Sequence, residues 1–474
     1  MKNALRSVVG WLRTVFEEQK HDQQKSTIAV LDGVRALAII LVIIFHINRM
    51  TDDALWDWRT NPLASSVATA GGTGVTLFFV LSGFLLFMPY AKSLLTASRW
   101  PLARGFYVRR ALRIMPGYYV SLLILILLTQ SDYLQPANWT KLGLFLTFFM
   151  DSTQSTFRTV IDPPYWTLAV EWQFYMFLPL LMLGLLLLVR RVPLKYRLRS
   201  VTACLGGVIA LGLGVRFCGI YFQGNPTASF LVPRPLLNIV LFFTYGQSGK
   251  YLEDFAVGML AGLCYIYAQN LSAEHPFTRT LRQLSLWFWG AGILILVFSA
   301  MWHYQSTPHI SPWPFLSPIM PYYTWLSEMV LAWGYGLCII AILFGPRQLQ
   351  RPFTWMPLRW IGLISYSLYI WHEPLIGLFQ TRVLPLLGLA HLLPFTPHYY
   401  LAYALYWVWT LLVVVPFCLL CYICIEKPGM KLGNRWRKAI ETRYRARLAE
   451  KEAVASTREN SNDTIAAREE AVKS

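Results

Sequence analysis

Two residues in the run LDGVRALAIILVIIFHINRM, positions 31–50, are expensive where they stand: Arg35 near its start and His46 near its end. Ionisable side chains inside a bilayer cost several kcal/mol or more, so such residues are usually kept for a use. Their spacing of 11 positions, at about 100° and 1.5 Å per residue, puts both on nearly the same face of one helix, roughly 16 Å apart. If the hydrocarbon begins near Leu31, Arg35 lies about 6 Å from the cytoplasmic edge and His46 about 22 Å in, within the outer half of a core roughly 30 Å thick. An imidazole held at that depth is a candidate general base.

A carboxylate falls at a matching depth. In PPYWTLAVEWQFYMFLPLLMLGLLLLVRR, read from the outside inward, Glu171 stands about 9 Å below the outer edge. A His and a carboxylate meeting at one level form a base and its orienting group, the carboxylate fixing the tautomer and stabilising the imidazolium as it forms. The same pair is also consistent with a buried ion pair that only fixes helix register. In GFYVRRALRIMPGYY, Arg109, Arg110 and Arg113 lie at the cytoplasmic face. Arg110 and Arg113 are one helical turn apart and suit a phosphate-rich ligand, although topology signalling and lipid head groups explain most such runs. GGTGVTLFFVLSGFLLF carries Ser82 and Gly83 at mid-span, where glycine admits either a neighbouring helix or a ligand chain. In GLISYSLYIWHEPL, His372 lies about 16 Å into its run and is followed by Glu373 and Pro374, which suggests a kinked polar pair in a supporting role. His303, His309, His391 and His398 read as solvated or interfacial.

The elements that must position these residues are membrane spans. Of 474 residues, 55% are hydrophobic and only 14% charged, and the apolar residues gather in runs of about 20. The expected fold is all-α: a polytopic integral membrane bundle of about ten transmembrane helices, centred near residues 40, 80, 122, 177, 210, 260, 294, 335, 370 and 412. KLGLFLTFFM and LLNIVLFFTY, each about 10 residues, are too short to cross and read as re-entrant or interfacial pieces that help roof a cavity. The net charge of +18 comes from Lys and Arg set in short blocks between apolar runs, which reports topology and excludes a nucleic-acid-binding face. Those blocks favour both termini in the cytoplasm. Residues 1–28 read as a cytoplasmic amphipathic helix lying on the membrane, 29–426 as the ten-span domain, and 427–474 as a charged cytoplasmic tail fading into disorder. The seven cysteines lie in apolar runs and read as reduced, buried hydrophobes. Cys418, Cys421 and Cys424 have ligand-like spacing but lack His or acidic companions, so no metal is expected.

Five stretches taken together resemble the acyltransferase-3 family of multi-span membrane proteins. LDGVRALAIILVIIFH is similar to its opening Arg-x10-His signature, FFVLSGFLL to its second-span motif, and RRALRIMPGYY to its Arg-x-x-Arg loop. YWTLAVEWQFY is similar to its Trp-Glu motif and ISYSLYIWHEPL to its late His-Pro motif. The resemblance spans about residues 28–428 and implies an acyltransferase of the cell (inner) membrane. Such an enzyme takes an acyl group, commonly acetyl, from cytoplasmic acyl-coenzyme A and passes it to a hydroxyl of a cell-surface glycan, lipid or small molecule. It implies no permanently bound cofactor. By that similarity His46 and Glu171 would be catalytic, and Arg35, Arg110 and Arg113 would hold the donor, with Ser82 and Gly83 beside its chain. His372, Trp166 and Tyr175 would support these groups or face the acceptor. The rival class is a transporter or flippase for a glycan or lipid intermediate, which also shows many spans, interrupted helices and intramembrane charges. No repeat joins the two halves of the chain, which counts against it.

Overall fold

The computed structural model describes residues 29–51, 61–158, 161–307, 312–389, 399–447 and 449–450. The amphipathic N-terminal segment expected over 1–28, His309, His391, His398 and the tail beyond 450 lie outside the described residues. Ten principal helices follow in chain order: α1 (Ala29–Met50), α2 (Gly74–Thr96), α3 (Ala103–Thr129), α4 (Tyr165–Val189) and α5 (Leu194–Gly224), then α6 (Leu252–Gln269), α7 (Ser285–Gln305), α8 (Tyr323–Phe344), α9 (Ser365–Leu378) and α10 (Tyr400–Arg447). The described residues contain no strand, only an isolated bridge between Phe230 and Val232. This follows from the apolar runs, since a helix satisfies every backbone N–H and C=O within its own segment where water is absent.

Eight of the described helices are long and apolar enough to cross a membrane: α1 to α5, α7, α8 and α10, with α2 and α8 extended at their starts by short helical turns. Residues Leu128, Leu188, Leu294 and Leu412 are 69–78% exposed, a surface that lipid rather than water would cover. The two runs near 260 and 370 differ. The first, α6, is an 18-residue helix with Glu253 and Asp254 buried in its first turn, and α9 has 14 residues. Both are enclosed by the bundle, where polar and shorter helices are tolerated.

Glycine decides how closely α2 and α6 pack. A Cβ on Gly258 would stand 2.0 Å from the Val80 carbonyl oxygen, and one on Gly83 would stand 2.0 Å from that of Phe255. The backbones touch, a contact only glycine permits. Glu253 is neutralised across the α5 interface by Arg216, Nε to Oε1 at 2.5 Å. The N-terminal end of α1 is gripped in the same way by Met356–Leu363: a Cβ on Gly362 would meet the Asp32 carbonyl oxygen at 1.8 Å, and Asp32 pairs with Arg359 at 3.3 Å.

The two half-length apolar pieces are helices of 8 residues (Trp139–Leu146) and 11 residues (Arg234–Thr244). They meet through Phe149, whose ring lies 5.6 Å from Phe242 and 5.4 Å from Phe243. Gln173 of α4 anchors the chain after the first piece by donating to the Phe148 carbonyl at 2.7 Å and to Asp151 at 2.8 Å. All seven cysteines are free thiols; Cys338 and Cys418 are buried, whereas Cys218 and Cys424 are exposed rather than core residues.

Candidate active site

A cavity of about 80 Å³ runs between α1, α2, α3, α4 and α9. Arg35 enters it from α1, Ser82 from α2, Arg110 and Arg113 from α3, Glu171 and Tyr175 from α4, and Tyr366 and Tyr369 from α9. Helical periodicity accounts for the set. Thr167, Glu171 and Tyr175 recur every four residues along one face of α4, and Tyr366, Tyr369 and Glu373 share a face of α9. The three arginines gather toward one end, and Thr167 and Tyr369 meet at 2.6 Å toward the other.

Within the cavity Glu171 is an acceptor for two hydroxyls. Ser82 Oγ donates to its Oε1 at 2.6 Å, and the Tyr175 hydroxyl donates to the same oxygen. The Arg110 guanidinium stands 5.6 Å from the Tyr175 ring centroid. Glu171 therefore offsets part of the positive charge of the arginine cluster, in a low-dielectric space where such neighbours matter.

His46 lies outside this cavity, and its partners correct the expected pairing. Glu171 makes no contact with it. His46 Nδ1 lies 2.9 Å from the Val42 carbonyl oxygen and 3.2 Å from His372 Nε2, and His46 Nε2 lies 3.4 Å from Glu373 Oε2. The tautomers follow from the acceptors. His372 Nδ1 faces the Leu368 and Tyr369 carbonyls at 3.0 and 2.8 Å, so it carries the proton and leaves Nε2 with a lone pair. His46 Nδ1, set between that lone pair and the Val42 carbonyl, must then be the donor. Its Nε2 is thereby left basic and turned toward Glu373. The orienting function expected of Glu171 is met by His372 and the Val42 carbonyl.

The mismatch has a geometric cause. Counting residues from each helix end treats α1 and α4 as reaching the same outer level. Instead α4 begins deep, its start sealed by buried Ile161, Asp162 and Tyr165. Stepping from Glu171 to the Thr167–Tyr369 pair and on to His372 adds roughly 10 Å along the helix axes, so the carboxylate sits that far below the imidazoles.

Other expected positions divide. Arg35, Ser82, Arg110, Arg113 and Tyr175 all line the cavity, whereas Gly83 does not: it turns toward α6, where the Phe255 backbone fills its side. Trp166 also lies off the cavity, its ring 5.6 Å from Phe157 and 5.7 Å from Tyr251, with the Arg158 guanidinium 5.5 Å from its centroid. His372 is fully buried, with its ring 4.8 Å from that of His46. His303, expected to be solvated or interfacial, is half-buried and hydrogen-bonded to the Tyr323 hydroxyl at 2.5 Å.

Sequence reasoning did not single out Tyr369, Thr167 or Asp162. Tyr369 and Thr167 were signalled only by their turn-by-turn spacing from His372 and Glu171. Asp162 is buried just ahead of α4 with neither carboxylate oxygen hydrogen-bonded. Burial, reinforced by the charge of Glu373, pushes its carboxyl well above the usual carboxylate range.

The acyltransferase domain of the acyltransferase-3 family matches residues 28–426, a stretch that contains every residue of the cavity and of the imidazole pair. The chain belongs to the acyltransferase-3 family. The chain is 26% identical over 369 residues to the peptidoglycan O-acetyltransferase OatA of Listeria monocytogenes, covering 73% of the chain and 49% of that protein. It is likewise 26% identical over 364 residues to YrhL of Bacillus subtilis, named provisionally for the same activity, covering 73% of the chain and 48% of the relative. The chain thus spans about half the length of these relatives. No solved structure matches the chain.

Proposed function

We propose that the chain is a membrane O-acyltransferase that moves an acyl group, commonly acetyl, from cytoplasmic acyl-coenzyme A to a hydroxyl of a cell-surface glycan, lipid or small molecule. On this reading it is a ten-span protein of the cell (inner) membrane, α6 and α9 completing the set, with both termini cytoplasmic as the Lys and Arg blocks favour. One observation carries the reading: a cavity with three arginines toward one end leads to within about one helical turn of a base whose free nitrogen is fixed by hydrogen bonding. Arg110 and Arg113 are the ligands for the donor's phosphates, with Arg35 inside the cavity to hold its charge. The pantetheine arm lies along Ser82 and Tyr366, and Glu171 accepts hydrogen bonds from it while balancing the arginines.

The thioester passes Tyr369 and Thr167 to reach His46. The acceptor hydroxyl gives its proton to His46 Nε2 as its oxygen attacks the thioester carbonyl, and Glu373 stabilises the imidazolium. Collapse of the tetrahedral adduct breaks the C–S bond, and the departing thiolate takes the proton from His46. A covalent acyl-imidazole relay through the same nitrogen obeys the same balance.

The test is acyl transfer by purified protein from acetyl-labelled coenzyme A. Thioester cleavage that requires His46 is expected. A transporter would leave the thioester intact, which would end the enzymatic reading, and unchanged cleavage in His46→Ala would end the assignment of His46 as its base.

A further inference from the structure

The family match stops at residue 426, but α10 continues to Arg447. The stretch from 427 to 447 is strongly basic, with Glu441 as its only acid. It packs antiparallel along the first half of α3 in a defined register. A Cβ on Gly429 would stand 2.3 Å from the Leu112 carbonyl oxygen, and one on Gly433 would stand 3.4 Å from Arg109 Cα. One on Gly105 would stand 3.2 Å from Arg437 Cγ, and further along the Arg99 guanidinium stands 5.4 Å from the Tyr444 ring centroid. Each step down α10 matches a step back along α3 that is equal to within one residue. Two glycines four residues apart allow that approach, so the extension is a built part of the fold.

Its consequence is electrostatic. The register brings Arg437 beside Arg109, which adjoins Arg110 and Arg113 of the cavity. The Nε atoms of Arg109, Arg110 and Arg437 are buried without a hydrogen-bond partner, and Glu441 engages Arg437 through Nη1 alone, at 2.9 Å. Guanidinium groups crowded in this way, with donors unspent, suit an anion whose oxygens accept several hydrogen bonds at once. The geometry points to a phosphate subsite shared between the family domain and the tail helix, in which Arg109 and Arg437 hold the ribose 3′-phosphate of the donor. Arg110 and Arg113 then face the pyrophosphate nearer the cavity. The inference rests on the acyl-coenzyme A reading above. It makes residues beyond 426 part of the donor site.

The experiment measures binding of acetyl-coenzyme A and of its 3′-dephospho analogue to the full chain in neutral-lipid nanodiscs. Arg437→Gln is expected to weaken acetyl-coenzyme A binding roughly tenfold and to leave the dephospho analogue within twofold, with Arg437→Lys intermediate. Glu441→Gln, which frees Arg437 without removing it, should bind acetyl-coenzyme A at least as tightly as the parent. Equal weakening of both ligands, or none, in Arg437→Gln overturns the subsite. If Arg110→Gln still weakens binding in that case, the donor reading survives; if neither variant matters, the donor reading itself fails. A phosphate-bearing lipid is the other source of this chemistry. An Arg437 effect that appears only in discs containing anionic lipid would assign the arginines to a head group and overturn the proposal.

Discussion

His46 Nε2 and Glu373 Oε2 stand 3.4 Å apart, while the opposite side of the same imidazole is held by His372. One nitrogen is committed to structure and the other is free for chemistry. His46→Ala should therefore lower acyl transfer by about 10²- to 10⁴-fold, the usual contribution of a general base. Glu373→Gln should cost about tenfold, because it removes stabilisation of the imidazolium and leaves the base in place. Single-turnover transfer from labelled donor checks both. A larger loss in Glu373→Gln than in His46→Ala would reverse the assignment.

Glu171 lines the arginine-bearing cavity, so on the proposed reading its loss should appear in donor affinity. Glu171→Gln is expected to raise the donor KM several-fold, with Ser82→Ala and Tyr175→Phe changing it in the same direction but less. A fall in kcat at unchanged KM would return Glu171 to the side of the imidazole.

Arg110→Ala and Arg113→Ala should each raise the donor KM about tenfold, the loss of one charge-assisted phosphate contact. The parent's KM should also rise with ionic strength, more steeply than that of either variant, because each has one charge fewer to be screened. Steady-state kinetics across a salt series would reveal the difference in slope.

Asp162 provides a pH test of stability. Its carboxyl is pushed upward by burial, so the folded state holds a proton that the unfolded state releases. By linkage this group's contribution falls as pH rises through the ordinary carboxylate range toward its raised value. Asp162→Asn should flatten that decline and leave the variant at least as stable as the parent at neutral pH. Thermal unfolding in detergent between about pH 4 and 8 measures it; a variant that loses stability only at neutral pH would mean that the ionised carboxylate has a partner.

Gly258→Leu should destabilise the α2–α6 interface by well over the roughly 1–3 kcal/mol typical of overpacking, because the new side chain meets backbone rather than a movable neighbour. Loss of folded protein on size exclusion, or a sharply lower melting temperature, is the expected readout.

Much of this was legible in the residues. The apolar runs dictate helices, since no other backbone arrangement leaves its polar groups satisfied in lipid. The 11-residue spacing placed Arg35 and His46 toward the two ends of α1, and the one-turn spacing of Arg110 and Arg113 anticipated their shared cavity. Gly83 was not legible as a packing residue, because glycine admits helix contact and ligand approach equally. Glu373 was visible as a polar neighbour of Pro374, but nothing along α9 identified His46 as its partner.

The sequence by itself determined the helices, the face each side chain occupies, and the family to which the motifs belong. Periodicity is a local property, set by 3.6 residues per turn, and every helix carries it unaided. Only the tertiary structure decided that His46 meets Glu373 rather than Glu171, that Gly83 faces α6, and that the extension of α10 lies against Arg109. Those outcomes depend on the relative height of helices far apart in sequence. That height is set by glycine contacts, ion pairs and the buried start of α4, which no single segment encodes.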